Sequence, residues 1–558
     1  MEKIKPKLFS VMKTYTKQQF VKDVISGIIV AIIALPLSIA LALASGVGPQ
    51  EGLYTAIIAG FIISFFGGSR VQIAGPTAAF ATMVAGIVAT NGMEGLATAT
   101  VLAGIMLVIF GFLRLGALIQ YIPTTITTGF TFGIAVTIVV GQVKDFLGLT
   151  FTGSPVETVE KMEEIAKNIG TINWYALLVG AVSLAILVFW PKKLNVIPAS
   201  LIAVIVGAAM VMLLDLPVNT IGLKANGDPN YTITAALPHF VAPDFSRSMV
   251  KTMLPSAFTI AVLAAIESLL SCVVSDGMIG SKHRSNMELI AQGLGNTASA
   301  LFGGIPATGA IARTAANVKN GGRTPIAGMV HAVVLLIIMI FLVPYAALIP
   351  MPTIAAILFQ VAYNMSGWRT VVHHCKASPK SDVIVLLLTL VLTVFFDLVV
   401  AIGIGLVLAS LLFMKRMSEV TDVHGWIYED QLDEESDVDN ISLKSVPKHT
   451  RVFEINGPMF FAASEKFMTV TDDTEEDVLV IRMRSVPAID ATGLLTLEKI
   501  LDKCEKNNIQ VVFSHVNEQP MKALEKAGIV EKIGAENFCS HIDLALQRAA
   551  ELEGLSAN

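Results

Sequence analysis

The sequence predicts a polytopic α-helical membrane protein, about fourteen spans arranged as an inverted repeat of about seven plus seven, with a small α/β domain after the last span. Three observations predict it. Hydrophobic residues make up 54% of the chain against 15% charged, with a mean hydropathy of +0.69, a balance that excludes a soluble protein of this length. Apolar runs of about 17–25 residues, enough to cross a bilayer as helices, recur from about residue 21 to about residue 416 and then stop. Two unusually short apolar segments, near 75–90 and 306–320, follow Gly/Pro breaks, "GGSRVQIAGPTAAF" and "FGGIPATGAIARTAAN". Each break lies about fifty residues after the start of its half, near 22 and near 252. Paired, interrupted segments at matching places point to a transporter's central site, and an odd number of crossings per half inverts the second copy.

Charge placement sets the orientation. Arg70, Arg114, Lys192 and Lys193, "SKHR" 281–284, Lys319 to Arg323, Arg369 to Lys380, and Lys415 with Arg416 mark alternate connections, as does the basic N-terminal segment 1–20. The intervening short connections, "GVGPQEG" 46–52 and "TNGMEG" 90–95, carry neither Lys nor Arg. The positive-inside rule then puts both termini in the cytoplasm of a multi-pass plasma (inner) membrane protein. The longer outward stretches, about 144–172 and 215–251, obey the rule less strictly. The first run, "DVISGIIVAIIALPLSIALALASG", is too long for a cleaved leader and reads as a retained span.

Within this transmembrane region, 21–416, the repeats cover about 21–215 and 252–416. Residues 417–448, including "SEVTDVHGWIYEDQLDEESDVDN", read as an acidic linker. Residues 449–558 alternate β-branched runs ("RVFEI", "DVLVIRM", "IQVVFSHV") with segments of helical spacing ("GLLTLEKILDKCEKN", "QPMKALEKAG"), which predicts a small α/β domain.

The chemistry expected in the membrane is recognition rather than catalysis. No nucleophile–base pair, P-loop or redox pair occurs, so no enzyme activity is expected, and no cofactor. Cys272, Cys375, Cys504 and Cys539 have no metal-ligand spacing, and His373–His374 reads as a solvated loop pair, so no metal is expected. A helix that begins in mid-membrane aims unpaired N–H groups and the positive end of its dipole into the cavity. Thr77 and Ala78 offer such groups from the first half, and Ile311 and Ala312 from the second, together an anion site. Arg313 adds positive potential or pairs directly with a carboxylate or sulfate, or it braces the half-helix. Glu267, about fifteen residues from the nearest basic residue on either side, Lys251 and Lys282, is a candidate proton carrier. Ser271, one turn later, shares its face. Glu288 and Asp397 lie near segment ends, where snorkelling or capping suffices.

These residues, with "GVGPQEGLYTA", "AAIESLLSCVVSDGMIGSKHRSNMELIAQGLGN" and "GGIPATGAIARTAANVKNGGRTP", make the chain resemble the SulP anion permeases, bacterial relatives of the SLC26 transporters, with a C-terminal part similar to STAS domains. The resemblance implies core and gate domains, a site between the third and tenth helices, elevator-like alternating access and a homodimer. It assigns Thr77, Ile311 and Ala312 to substrate contact and Arg313 to positive potential. It also matches Glu267, Ser271 and Thr314 to positions held by Asp, Thr and Thr in sodium-coupled bicarbonate members. Glu in place of Asp favours proton coupling and leaves sodium open. "AIDATGLL" 488–495 resembles the STAS loop that bears a phosphorylated Ser in anti-sigma-factor antagonists, with Thr492 at the acceptor place, Ala491 departing from the pattern, and helix capping as the other reading. The overall pattern is closest to bacterial members that take up C4-dicarboxylates such as succinate or fumarate by proton symport. Sulfate is next. Sodium-coupled bicarbonate uptake, and an anion channel or sensor regulated through the STAS domain, are the alternatives. The expected partners are the anion, the lipid bilayer, a second copy and a cytosolic regulator at the STAS domain, and no nucleic acid.

Overall fold

A computed structural model describes residues 4–153, 155–191, 198–231, 236–396, 398–420, 422–426, 446–461 and 477–556. The chain divides into two compact units, residues 1–406 and 407–558.

A short helix, α1 (Lys7–Val11), precedes the spans. The first half then runs α2 (Lys17–Ala44), α3 (Pro49–Phe66), the two-residue strand β1 (Ala74–Gly75), a 3-10 turn (Ala78–Phe80) leading into α4 (Ala81–Phe112), and α5 (Thr124–Leu147). A surface helix α6 (Thr158–Lys167), α7 (Trp174–Phe189) and α8 (Ala199–Leu213) complete it. The second half comprises α9 (Arg247–Ile279), α10 (Ser285–Leu301), strand β2 (Thr308–Gly309), α11 (Ile311–Lys319), α12 (Ile326–Leu342) and α13 (Met351–Ser366). The polar α14 (Trp368–Ala377), α15 (Lys380–Phe395) and α16 (Leu398–Val420) close the series. By length and hydropathy α2, α3, α4, α5, α9 and most of α16 can each cross a bilayer, and α7, α8 and α12 are shorter apolar helices.

Helix α4 is two segments joined end to end, the first of them a half-helix. Gly92 breaks it at φ 66°, ψ −172°, in the "TNGMEG" connection, where only glycine takes such a conformation without strain. With α4 counted as two segments, and α6 and α14 set aside as polar surface helices, each half contributes seven segments among the described residues.

The packing obeys a pseudo-two-fold. In the first half α4 packs on α9 and α10; in the second α12 packs on α2 and α3. The pairs α5–α15 and α13–α7 are related in the same way, and α5 meets α13. The strands make the relation explicit: β1 and β2 pair antiparallel, Ala74 opposite Gly309 and Gly75 opposite Thr308. The contacts sort the helices into two groups. One holds α2, α3, α4, α9, α10, α11 and α12 around the strand pair; α5, α7, α8, α13 and α15 form the other.

Close approach within the first group depends on residues without bulk. A Cβ on Gly52 of α3 would lie 2.0 Å from the Ser38 carbonyl oxygen of α2. Because a backbone atom cannot swing away, Gly52→Ala is expected to part the two helices at a cost of about 1–3 kcal/mol, read as a lowered melting temperature of the detergent-purified protein.

Basic connections gather at one end of the molecule. Lys7 donates through Nζ to the Lys282 carbonyl, Arg284 to the Lys5 carbonyl and the Ser10 hydroxyl, and Gln19 to the Gly321 carbonyl. At the other end the stretch after α8 crosses the helix ends: the Tyr54 hydroxyl donates to the Ala236 carbonyl and the Val241 N–H to that of Leu301.

The second unit is a five-stranded sheet in the order β3 (Asp422–Trp426), β4 (Thr450–Asn456), β5 (Val478–Ser485), β6 (Gln510–Ser514), β7 (Phe538–Cys539). The first pair is antiparallel and the rest are parallel. Period-two alternation gives each face its core. Leu479, Ile481 and Met483 of β5 face Leu497, Ile500 and Leu501 of α17 (Ala491–Lys506), with Leu524 of α18 (Glu518–Lys526) and Ile529 of α19 (Ile529–Ile533). Val478 and Val480 face Ile542, Ala545 and Ala549 of α20 (Ile542–Ser556). The structure differs from the sequence reading in the acidic stretch. Residues 417–420 extend α16, and Asp422–Trp426 adds an edge strand to β4. Backbone pairing with a formed sheet outweighs the local acidity; the rest of that stretch, 427–445, lies outside the described residues.

Candidate functional site

The two Gly/Pro breaks fold as β1 and β2, and each releases its chain into a helix that starts inside the protein. Thr77 precedes the Ala78–Phe80 turn and Ala310 precedes α11; neither start has a side-chain cap. Proline at 76, which lacks an N–H, and the small residues around it suit a chain that must turn from strand to helix in little space. The second break is tied down by Asn296, which donates to the Ala307 carbonyl at 2.9 Å and accepts from its N–H at 2.8 Å. The Thr55 hydroxyl accepts the Ile305 N–H at 2.7 Å.

The expected site residues meet here in part. Ile311 and Ala312 are exposed at the start of α11, whereas Ala78 is buried and Thr77 half-buried. Arg313 is 2% exposed. Its Nη2 donates to the Pro76 carbonyl, so it ties the start of one half-helix to the break before the other. Its Nη1 is buried and has no hydrogen-bond partner among the described residues. A Cβ on Gly75 would come within 2.4 Å of that Nη1, so the guanidinium occupies the space a side chain would need. Arg313 therefore braces the strand pair and at the same time brings positive charge to it.

Glu267, on α9, receives two hydroxyl hydrogen bonds on one carboxylate oxygen, from Thr77 at 3.1 Å and from Thr308 at 3.0 Å. The Thr77 hydroxyl is directed at the carboxylate. Ser271 and Thr314, expected beside Glu267, form a separate pair 3.4 Å apart, and the Thr314 hydroxyl also accepts the Ile73 N–H at 3.0 Å. No hydrogen bond joins that pair to Glu267 among the described residues.

Several participants are not evident from the sequence. Thr308 completes the Glu267 cradle. The Ser268 hydroxyl accepts the Gly309 N–H at 3.1 Å, and Asn317 donates to the Val71 carbonyl at 2.8 Å while accepting from Ser26 at 2.7 Å. Glu288, read as a segment-end residue for which snorkelling or capping suffices, lies in the first turn of α10 and is fully buried. Its carboxylate accepts from the N–H groups of Gly68 and Ser69 and from Gln72 and Gln292, at 2.8–3.1 Å. Four donors compensate a buried carboxylate, and they fix the entry to the first break as Thr55 fixes the entry to the second. His331 of α12 is buried, both ring nitrogens without a hydrogen-bond partner among the described residues, on the Gly60 side of the same packing. Asp397 lies outside the described residues.

In the second unit Thr492 is half-buried in the first turn of α17, and Asp490 caps that helix by accepting the Gly493 N–H at 2.8 Å. Among the described residues no cluster of three metal-ligating side chains occurs.

Residues 20–389 match the model of the sulfate permease family, and residues 440–548 match the STAS domain. The chain belongs to the sulfate permease family. "Putative sulfate transporter YvdB" of Bacillus subtilis is 38% identical over 535 residues, covering 95% of this chain and 98% of that protein. The bicarbonate transporter BicA of Picosynechococcus sp. is 32% identical, covering 94% of each. Among solved structures, the murine Solute Carrier 26 family member A9 anion transporter shares the fold over 98% of this chain and 94% of its own, with a TM-score of 0.85 at 20% identity. The transmembrane domain of a cyanobacterial BicA covers 70% of this chain and 98% of its own, with a TM-score of 0.59 at 28% identity. This sulfate permease relative is thus a multi-pass membrane anion transporter that carries a STAS domain.

Proposed function

We propose that the protein is a proton-coupled secondary transporter of a small oxyanion, bound between the starts of the Ala78–Phe80 turn and α11. The observation that carries this reading is the Glu267 carboxylate held by Thr77 and Thr308, one hydroxyl from each break, which supports a coupling group beside the proposed anion site. An ionised Glu267 repels an anion there. Protonation removes that charge while the helix starts and Arg313 continue to attract it, so proton and anion bind together. The two helix groups support an elevator-type movement of the α2–α4 and α9–α12 group against the other. Residence in the plasma membrane with cytoplasmic termini, a homodimer, and a STAS domain that receives a cytosolic regulator, by phosphorylation of Thr492 or otherwise, belong to the same reading.

The sequence pattern favours C4-dicarboxylates such as succinate or fumarate, while the names of the relatives favour sulfate and bicarbonate. Backbone N–H groups accept all three. A second reading, sodium-coupled bicarbonate uptake, draws on the Ser271–Thr314 hydroxyl pair one turn from Glu267 and on the likeness to BicA. Uptake of labelled sulfate, succinate and bicarbonate into proteoliposomes separates them. Sulfate or succinate accumulation without sodium supports proton symport, and uptake of bicarbonate that requires sodium supports the second reading. Anion flow that never exceeds equilibrium under either gradient contradicts both and points to a channel.

A further inference from the structure

A cavity of about 400 Å³ opens where the first turns of α2 meet the connection between α11 and α12, lined by Gln19, Lys22, Lys319, Asn320, Gly321 and Arg323. It lies at the end of the molecule that the positive-inside pattern assigns to the cytoplasm, and it holds three cations and no acid in its lining. Lys22 and Lys319 are exposed. Arg323 is half-buried and oriented, its Nη1 donating to the carbonyls of Val318 at 2.8 Å and Gly322 at 2.7 Å. The nearest acid, Asp23, is fully buried and already accepts from Tyr15, Gln19, Thr324 and the Arg323 N–H. A second cavity of about 280 Å³ shares Gln19 and Arg323 with the first and adds Arg70.

We propose that this cavity binds the phosphate of an anionic phospholipid headgroup. The charge suits a phosphate in general, and the surroundings select lipid as its source. Phe20, Val21 and Ile25 of α2 are exposed beside Lys22, and Phe9 and Met12 are exposed on and after α1, so apolar surface for acyl chains adjoins the basic lining. Basic pockets between helices on the cytoplasmic side recognise such headgroups. A bound headgroup would clamp Lys319 at the end of α11 to Lys22 near the start of α2. Helix α11 is nine residues long and begins with Ile311, Ala312 and Arg313, so the clamp acts on the element that carries the anion site. The site stands apart from the proposed transport reaction and survives if that reading fails.

The test is native mass spectrometry of the full detergent-purified chain titrated with phosphatidylglycerol, with phosphatidylcholine and, separately, with inorganic phosphate at the same concentrations. Preferential phosphatidylglycerol binding is expected, weakened about tenfold or more in the Lys22→Gln/Lys319→Gln double variant, which removes no side-chain hydrogen bond seen among the described residues. Lys13→Gln/Lys17→Gln, outside the cavity and equal in charge change, should stay within about twofold of the unaltered protein. Equal loss in both double variants would reduce the effect to general surface charge and overturn the site. No preference over phosphatidylcholine, or binding of inorganic phosphate in place of the lipid, would overturn the lipid assignment.

Discussion

Replacing Glu267 by Gln is expected to abolish proton-driven accumulation of the anion while leaving anion exchange and binding within roughly tenfold of the unaltered protein. Gln keeps the shape and an oxygen that can still accept from Thr77 and Thr308, so the cradle persists, but it cannot take up or release a proton. A permanently neutral group at this position resembles the protonated state, and the anion then binds without a coupled charge. Accumulation unchanged in Glu267→Gln would remove this residue from coupling. Loss of accumulation, exchange and binding together would instead mark a structural role. Thr77→Val provides a companion measurement, because it removes one of the two donors to the carboxylate without changing charge.

Arg313→Ala is expected to lower anion affinity by roughly ten- to a hundredfold, the equivalent of one charged hydrogen bond of about 1.5–3 kcal/mol. Arg313→Lys should recover part of the loss, since a point charge restores potential but not the planar fork. The contact with the Pro76 carbonyl adds a second consequence: the alanine variant should also melt at a lower temperature, because the break before the first half-helix loses its tie to α11. The two roles separate in the lysine variant. Recovered affinity at a lowered melting temperature assigns the field to the charge and the tie to the guanidinium. Equal affinity loss in both variants would assign Arg313 to bracing.

The sequence and the structure agree where a feature is local and disagree where it depends on distant partners. Hydropathy, the "GPTAAF" and "GGIPATG" breaks and the glycine of "TNGMEG" are each read within a few residues, and they become the spans, the strand pair and the kink at Gly92. The convergence of Thr77, Glu267 and Arg313 on the strand pair follows from the symmetry of the two halves. The roles of Thr308, Gln72 and Asn317, and the partners of Glu288, are hidden because the groups that meet lie far apart in the chain: Gln72 and Glu288, for instance, are 216 residues apart. A polar residue inside an apolar segment is a visible signal, but its partner is fixed only when the halves interleave. Ser271 and Thr314 illustrate the limit of spacing arguments. One helical turn from Glu267 put Ser271 on the right face, yet the carboxylate is held by Thr77 and Thr308 from the two breaks. The edge strand Asp422–Trp426 was masked by acidic neighbours, since pairing with β4 is a property of the folded sheet and not of the segment.

Proton coupling through Glu267 is decided by uptake of labelled sulfate and, separately, succinate into sodium-free proteoliposomes, with an inward proton gradient and after its collapse, for the unaltered protein and for Glu267→Gln. Proton symport requires accumulation of one anion above its outside concentration that vanishes when the gradient is collapsed and is absent in the variant. Accumulation that is indifferent to the proton gradient, or that persists in Glu267→Gln, would contradict it.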